Sequence, residues 1–221
     1  MFYDHDDIKD KNNSKVFVSL GNYCLTSMIF KSNNLKFDSY PFDWMVTKID
    51  NITNIINDDF KDFLNVNNYT KIGKGTRNNV YYNNTNTLFN FKFDSGCHQH
   101  HILSETNDYN YITRCVKRFN NLINTDKQII FVMIQPLYLS NLYIDDKVYN
   151  ELYETLFNKF GDNIKLLIFN ITNNDNKIYN ERKINDKFFI YELKSKMCLG
   201  DCGMMWYDKE GIKKFLELVC N

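Results

Sequence analysis

The sequence predicts an α/β protein: a single domain with a mainly parallel sheet, helices on both of its faces, and a helical and irregular insertion after the first β-α unit. Three observations predict it. The runs 128–135, 164–171 and 188–193 are apolar at consecutive rather than alternate positions, the pattern of strands buried on both faces. Segments with apolar residues at three- and four-residue spacing alternate with them, as amphipathic helices do. No Pro/Gly-rich linker and no internal repeat divides the chain, and 221 residues suffice for one sizeable core.

The elements follow in order. Residues 1–14 are a polar lead-in, and 15–221 form the domain. Val16–Leu20 is a short strand, broken by Gly21 and Asn22. From Cys24 to Phe30 the pattern turns helical, with Leu25, Met28 and Ile29 on one face, and Lys31–Asn34 closes it. Phe37–Trp44, FDSYPFDW, reads as a loop around one of only two prolines. Residues 45–64 read as one or two helices, since Ile49, Ile52, Ile55, Ile56, Phe60 and Phe63 recur at helical spacing. Residues 65–96 are irregular and Asn-rich, with Val80–Tyr82 and Leu88–Phe91 as a small hairpin. A helix is expected over 109–123, with Tyr111, Ile112, Cys115, Phe119 and Leu122 as its stripe. Another spans 145–160, and a last one 208–219.

Composition narrows the function. Lys plus Arg and Asp plus Glu both number 27, so net charge is zero and no basic field attracts nucleic acid. No apolar run is long enough to span a bilayer. The first residues, MFYDHDDIKDKNNSK, lack a signal-peptide core and an Arg-rich transit pattern. From these features a cytoplasmic protein is expected, in a host's cytoplasm if the AT-rich bias behind the Asn and Lys excess is viral. Six cysteines in such a compartment are expected to be reduced. Their irregular spacing, with no C-x-x-C pair, argues against a disulfide framework or zinc ribbon. No phosphate-cradling glycine motif follows any strand, and no cofactor is expected.

The segment VFVSLGNYC carries the chemistry. A strand ends at Gly21, Asn22 is a candidate N-cap, and Cys24 falls at the start of a helix. Partial positive charge and free amides at a helix start favour a thiolate and an oxyanion. The bland alternative is a cysteine packed as a small hydrophobe. A nucleophilic thiol needs a base, and only four histidines exist. His5 lies in the lead-in. His98, His100 and His101 cluster in SGCHQHHILSE, and any of them is a candidate base. Asp43, Asp94 or Glu105 is a candidate to orient it. The cluster is also a candidate zinc site, but four Cys and His ligands within five residues cannot all reach one tetrahedral ion. In YPFDW, Asp43 and Trp44 stand one helix away from Cys24, so the two segments are expected to meet.

These segments resemble a known family. VSLGNYC, then YPFDW, then a His-containing segment, then YITRCVKRFNNLI with an IIFV strand, are similar to the DUF1796 family of putative papain-like cysteine peptidases, found in bacteria and large DNA viruses. The resemblance covers about Val16 to Ile134. It implies a cysteine hydrolase with Cys24 as nucleophile, a histidine among His98, His100 and His101 as base, and Asp43 as the acidic residue. Gly21, Asn22 and Trp44 would line the oxyanion and substrate side. The substrate would be a peptide, isopeptide or ester. Two other readings compete. One is a non-catalytic interaction domain whose aromatic residues form a binding face. The other is a relative of SGNH esterases, which lacks support because Ser19 precedes the glycine and no late Asp-x-x-His occurs.

Overall fold

In the computed structural model, the structure describes residues 14–21, 24–45, 47, 49–71, 80–82, 106–137, 145–172, 179–195, 197–200, 203–206 and 208–221. The chain is an α/β fold built on a five-stranded sheet. The strands are β1 (Lys15–Ser19), β4 (Gln128–Pro136), β5 (Ile164–Thr172), β6 (Tyr179–Asn185) and β7 (Phe188–Lys194), and the sheet order is β1-β4-β5-β7-β6. All neighbours pair in parallel except β6, which runs antiparallel to β7 at the edge. Two small antiparallel hairpins stand apart: β2 (Tyr69–Lys71) with β3 (Val80–Tyr82), and β8 (Met197–Gly200) with β9 (Gly203–Trp206).

The continuous apolar runs form these strands because each face meets helices. One face, lined by Val18, Ile129, Phe131, Met133, Leu166 and Ile168, packs on α2 (Ile49–Asn57), α3 (Thr106–Asn121) and α4 (Asp146–Phe160). The other, lined by Phe17, Ile130, Val132, Leu167 and Phe169, packs on α1 (Leu25–Ser32) and α5 (Lys209–Cys220). The helix starts follow capping chemistry. Asp145 Oδ1 accepts the Lys147 amide at 3.1 Å. Asp208 Oδ1 accepts the amides of Glu210 and Gly211, each at 3.1 Å, satisfying two otherwise unpaired donors.

FDSYPFDW is pinned by aromatic packing. Phe42 is fully buried and its ring lies 5.8 Å from both Phe60 and Phe119. Phe119 in turn meets Phe131 of β4 at 6.0 Å and Phe160 of α4 at 5.2 Å. Edge and tilted ring contacts of this kind tie the loop to three elements of the core.

Several expectations are corrected. Met28 does not share the inward face of Leu25 and Ile29: it is 40 % exposed, and α1 turns inward through Leu25, Thr26, Ser27, Ile29 and Phe30. Of the one or two helices expected within 45–64, one, α2, forms among the described residues; turns follow it, and Phe60 adopts a left-handed conformation at φ +62°. Val80–Tyr82 pairs with Tyr69–Lys71; Leu88–Phe91, its expected hairpin partner, lies outside the described residues. Strand β6 was not expected, because an exposed edge strand rich in charge (YNERKIN) carries no apolar pattern.

Candidate active site

The first strand delivers the chain to a turn at the carboxyl edge of the sheet. The ladder continues one residue past β1, where the Leu20 amide donates to the Val132 carbonyl at 2.9 Å. The chain then leaves the sheet at Gly21, whose φ is +80°. Its amide donates to Ser19 Oγ at 3.3 Å. A Cβ on Gly21 would stand 3.1 Å from both the Phe42 carbonyl oxygen and the Thr47 methyl. Glycine is therefore demanded twice, by conformation and by space. The same contact shows that the VSLG turn and the YPFDW loop meet, as the sequence predicts.

Cys24 is the N-cap residue of α1, with φ −66° and ψ −5°, and its carbonyl accepts the Met28 amide at 2.9 Å. It makes no side-chain cap hydrogen bond, so its sulfur is not used to close the helix. This corrects the expectation that Asn22 caps the helix; the boundary falls two residues later, and Asn22 lies outside the described residues. Cys24 is 7 % exposed. It stands at the amide end of α1, where a helix carries partial positive charge.

Asp43 is fully buried. Its Oδ2 accepts the Tyr40 amide at 2.7 Å and forms an ion pair with Lys36 Nζ. The Lys36 side chain is itself only 8 % exposed. Burial pushes the Asp43 carboxyl above the ordinary carboxylate range. The Lys36 charge, the Tyr40 amide and the Ser27 hydroxyl pull the other way. Ser27 stands three residues after Cys24 on α1, so the carboxyl approaches that helix within one turn of the thiol. Ser27 Oγ and Asp43 Oδ1 nevertheless make no hydrogen bond of full geometry.

A second thiol feels this carboxyl's charge. Cys115 of α3 is fully buried, and burial raises its pKa, with the Tyr111 hydroxyl and the Arg118 charge opposing and Asp43 adding to the rise. Arg118 Nη1 donates to the Ser39 carbonyl at 3.1 Å and fastens α3 to the loop. Burial likewise raises the Cys220 thiol. Burial works against the thiolate form at both.

Trp44 is half-buried beside Asp43 in the turn 41–44. His98, His100 and His101, with Asp94 and Glu105, lie outside the described residues. Among the described residues no group of three or more His, Cys, Asp or Glu could hold a metal ion, and no helix is long and apolar enough to cross a membrane. Sequence reasoning missed Lys36. The available signal was Asp43 among the aromatic residues of YPFDW, since a buried acid calls for a cation nearby.

Fold and site together define an α/β protein that places a cysteine at the carboxyl edge of its sheet, at the start of the first helix. The chain belongs to the DUF1796 family, described as putative papain-like cysteine peptidases, whose pattern matches residues 15–137, more than half of its length. No curated protein and no solved structure matches it.

Proposed function

We propose that the chain is a cysteine-dependent hydrolase acting on a peptide, isopeptide or ester bond. The observation that carries this reading is the placement of Cys24: N-cap of α1, directly after a glycine-locked turn, at the edge where open α/β sheets gather their sites. In the proposed reaction the thiolate attacks the substrate carbonyl carbon. Amides of the turn after Gly21 stabilise the oxyanion, and Trp44 flanks the substrate. An imidazole of His98, His100 or His101 takes the thiol proton and returns it to the departing amine or alcohol. Water then cleaves the thioester and regenerates the thiol. Asp43 Oδ1, buried and without a hydrogen bond among the described residues, is the oxygen left to orient that imidazole.

One observation favours the second reading, a non-catalytic interaction domain in the cytoplasm: Cys24 keeps only 7 % of its surface exposed. Activity-based labelling separates the two. A peptidyl chloromethyl ketone is expected to add once to the wild-type chain, and Cys24→Ala is expected to abolish that addition in the intact mass. Equal labelling of the wild type and Cys24→Ala would rule out the hydrolase reading.

A further inference from the structure

The segment after α1 buries a lysine and exposes a phenylalanine. The helix ends in a reversal. Asn34 takes a left-handed φ of +56°. Its amide donates to the Lys31 carbonyl at 3.4 Å, and the Leu35 amide donates to the Phe30 carbonyl at 2.9 Å. These are the two bonds of a Schellman turn. Leu35 then anchors in the core with Phe30. Of the next two residues, the Lys36 side chain keeps 8 % of its surface exposed and Phe37 keeps 78 %. Transfer out of water favours the opposite order. The chain is turned so that an ammonium points inward, and it meets Asp43.

Stability alone does not call for these charges. A buried ion pair loses the hydration of both partners, and well-packed apolar residues in its place are often neutral or stabilising. The carboxylate is also only half used. Oδ2 takes both the Lys36 ammonium and the Tyr40 amide, whereas Oδ1 has no hydrogen-bond partner among the described residues. Ser27 Oγ, on the helix that Cys24 caps, is likewise buried and without a bond of full geometry. A buried acceptor left without a donor is costly, and this one approaches α1 within a turn of Cys24.

The charges around Asp43 single out Lys36. Burial pushes the carboxyl up, and the Lys36 charge comes first among the groups that restrain it, ahead of the Tyr40 amide and the Ser27 hydroxyl of α1. The Tyr40 hydroxyl and, on α3, Tyr111 and Cys115 also feel the carboxyl. All three are acids whose ionisation burial opposes, and none supplies positive charge. Arg118 of α3 faces Asp38, at 3.5 Å.

We infer that Lys36 is a positioning residue of the proposed thiol site: it clamps Asp43 by Oδ2 as a carboxylate and leaves Oδ1 to receive the N–H of the base. This role deepens the hydrolase reading and rests on it. Lys36 acts through Asp43 and not on the substrate. The carboxylate stabilises the imidazolium, and the imidazolium stabilises the Cys24 thiolate. Without the ammonium, burial leaves the carboxyl protonated to higher pH, and the site loses its charge first in acid.

The test follows alkylation of Cys24 by iodoacetamide on the full chain, resolved by peptide mass spectrometry, at about pH 6 and about pH 9. Lys36→Met is expected to lower the rate in acid at least about tenfold, the least effect expected when a carboxyl loses an opposite charge in contact. In base the rate is expected to stay within about twofold, because a free thiol ionises there unaided. Lys36→Gln keeps a donor without the charge. It is expected to show the same loss in acid, and it carries the test if Lys36→Met fails to fold. Asp43→Asn is expected to match Lys36→Met in acid. Adding Lys36→Met to Asp43→Asn is expected to change the rate by no more than about twofold, since both act through one carboxylate. No loss in acid, an equal loss at both pH values, or a further independent loss in the double variant overturns the role of Lys36 and leaves the thiol reading standing. A wild-type Cys24 whose rate rises only at the free-thiol value overturns the thiol reading, and the role of Lys36 with it.

Discussion

Asp43→Ala is expected to destabilise the protein by about 3–5 kcal/mol, because it strands a buried ammonium. In the wild type the Lys36 side chain is nearly as hidden as the carboxyl it faces, and the Tyr40 amide shares that carboxyl's Oδ2. Removing the acid leaves the cation and the amide without their acceptor. Lys36→Met combined with Asp43→Leu is expected to recover much of the loss, since the desolvation of both charges disappears together. Thermal or urea unfolding of the three proteins checks this. Acidification adds a sign. Burial holds the folded Asp43 carboxyl above its unfolded value, so the folded state binds this proton more tightly. The group's contribution is present below the unfolded value and lost as pH rises through the folded one. The stability gap between wild type and Asp43→Ala is therefore expected to widen as pH falls from neutral. A gap that narrows would mean that Lys36 outweighs burial.

Gly21→Val has the second large effect, and it reaches the thiol. A β-branched residue at φ +80° costs about 1–3 kcal/mol in backbone strain. Its Cβ would also stand 3.1 Å from the Phe42 carbonyl and the Thr47 methyl. Such overpacking adds about 1–3 kcal/mol. Phe42 cannot yield easily, because its ring is locked against Phe60, Phe63 and Phe119. The strain is expected to move the turn, and with it Cys24. Labelling at Cys24 should fall well before the protein unfolds, while Gly161→Ala, at φ +72° with nothing near its Cβ, should lose stability alone. Unchanged labelling in Gly21→Val would separate the turn from the thiol.

The sheet was legible because its central strands are apolar on both faces; 164–171 and 188–193 each fall one residue short of the strand's observed end. The placement of Cys24 at a helix start was legible for a similar reason: a strand, a glycine and a helical pattern in close succession leave few ways to fold. The meeting of Gly21 with Phe42 followed from the single helix between them. Other features left no local mark. Met28 fits an apolar face by spacing, yet neighbouring elements leave that side of α1 open. Lys36 reads as an ordinary surface lysine until Asp43 is seen beneath it. Gln135 and Asn170 look like polar strand ends, and only the alignment of separate strands brings both to the Tyr149 hydroxyl. Such groupings arise from tertiary register, which one strand's pattern does not encode.

The account rests on Cys24 alone being activated, and its alkylation rate as a function of pH tests that most directly. Iodoacetamide labelling, resolved by peptide mass spectrometry, is expected to give Cys24 an inflection well below the free-thiol value of about 8.5, with Cys115 and Cys220, held up by burial, reacting only at higher pH. An inflection for Cys24 at or above the free-thiol value, in step with the other two, would contradict it.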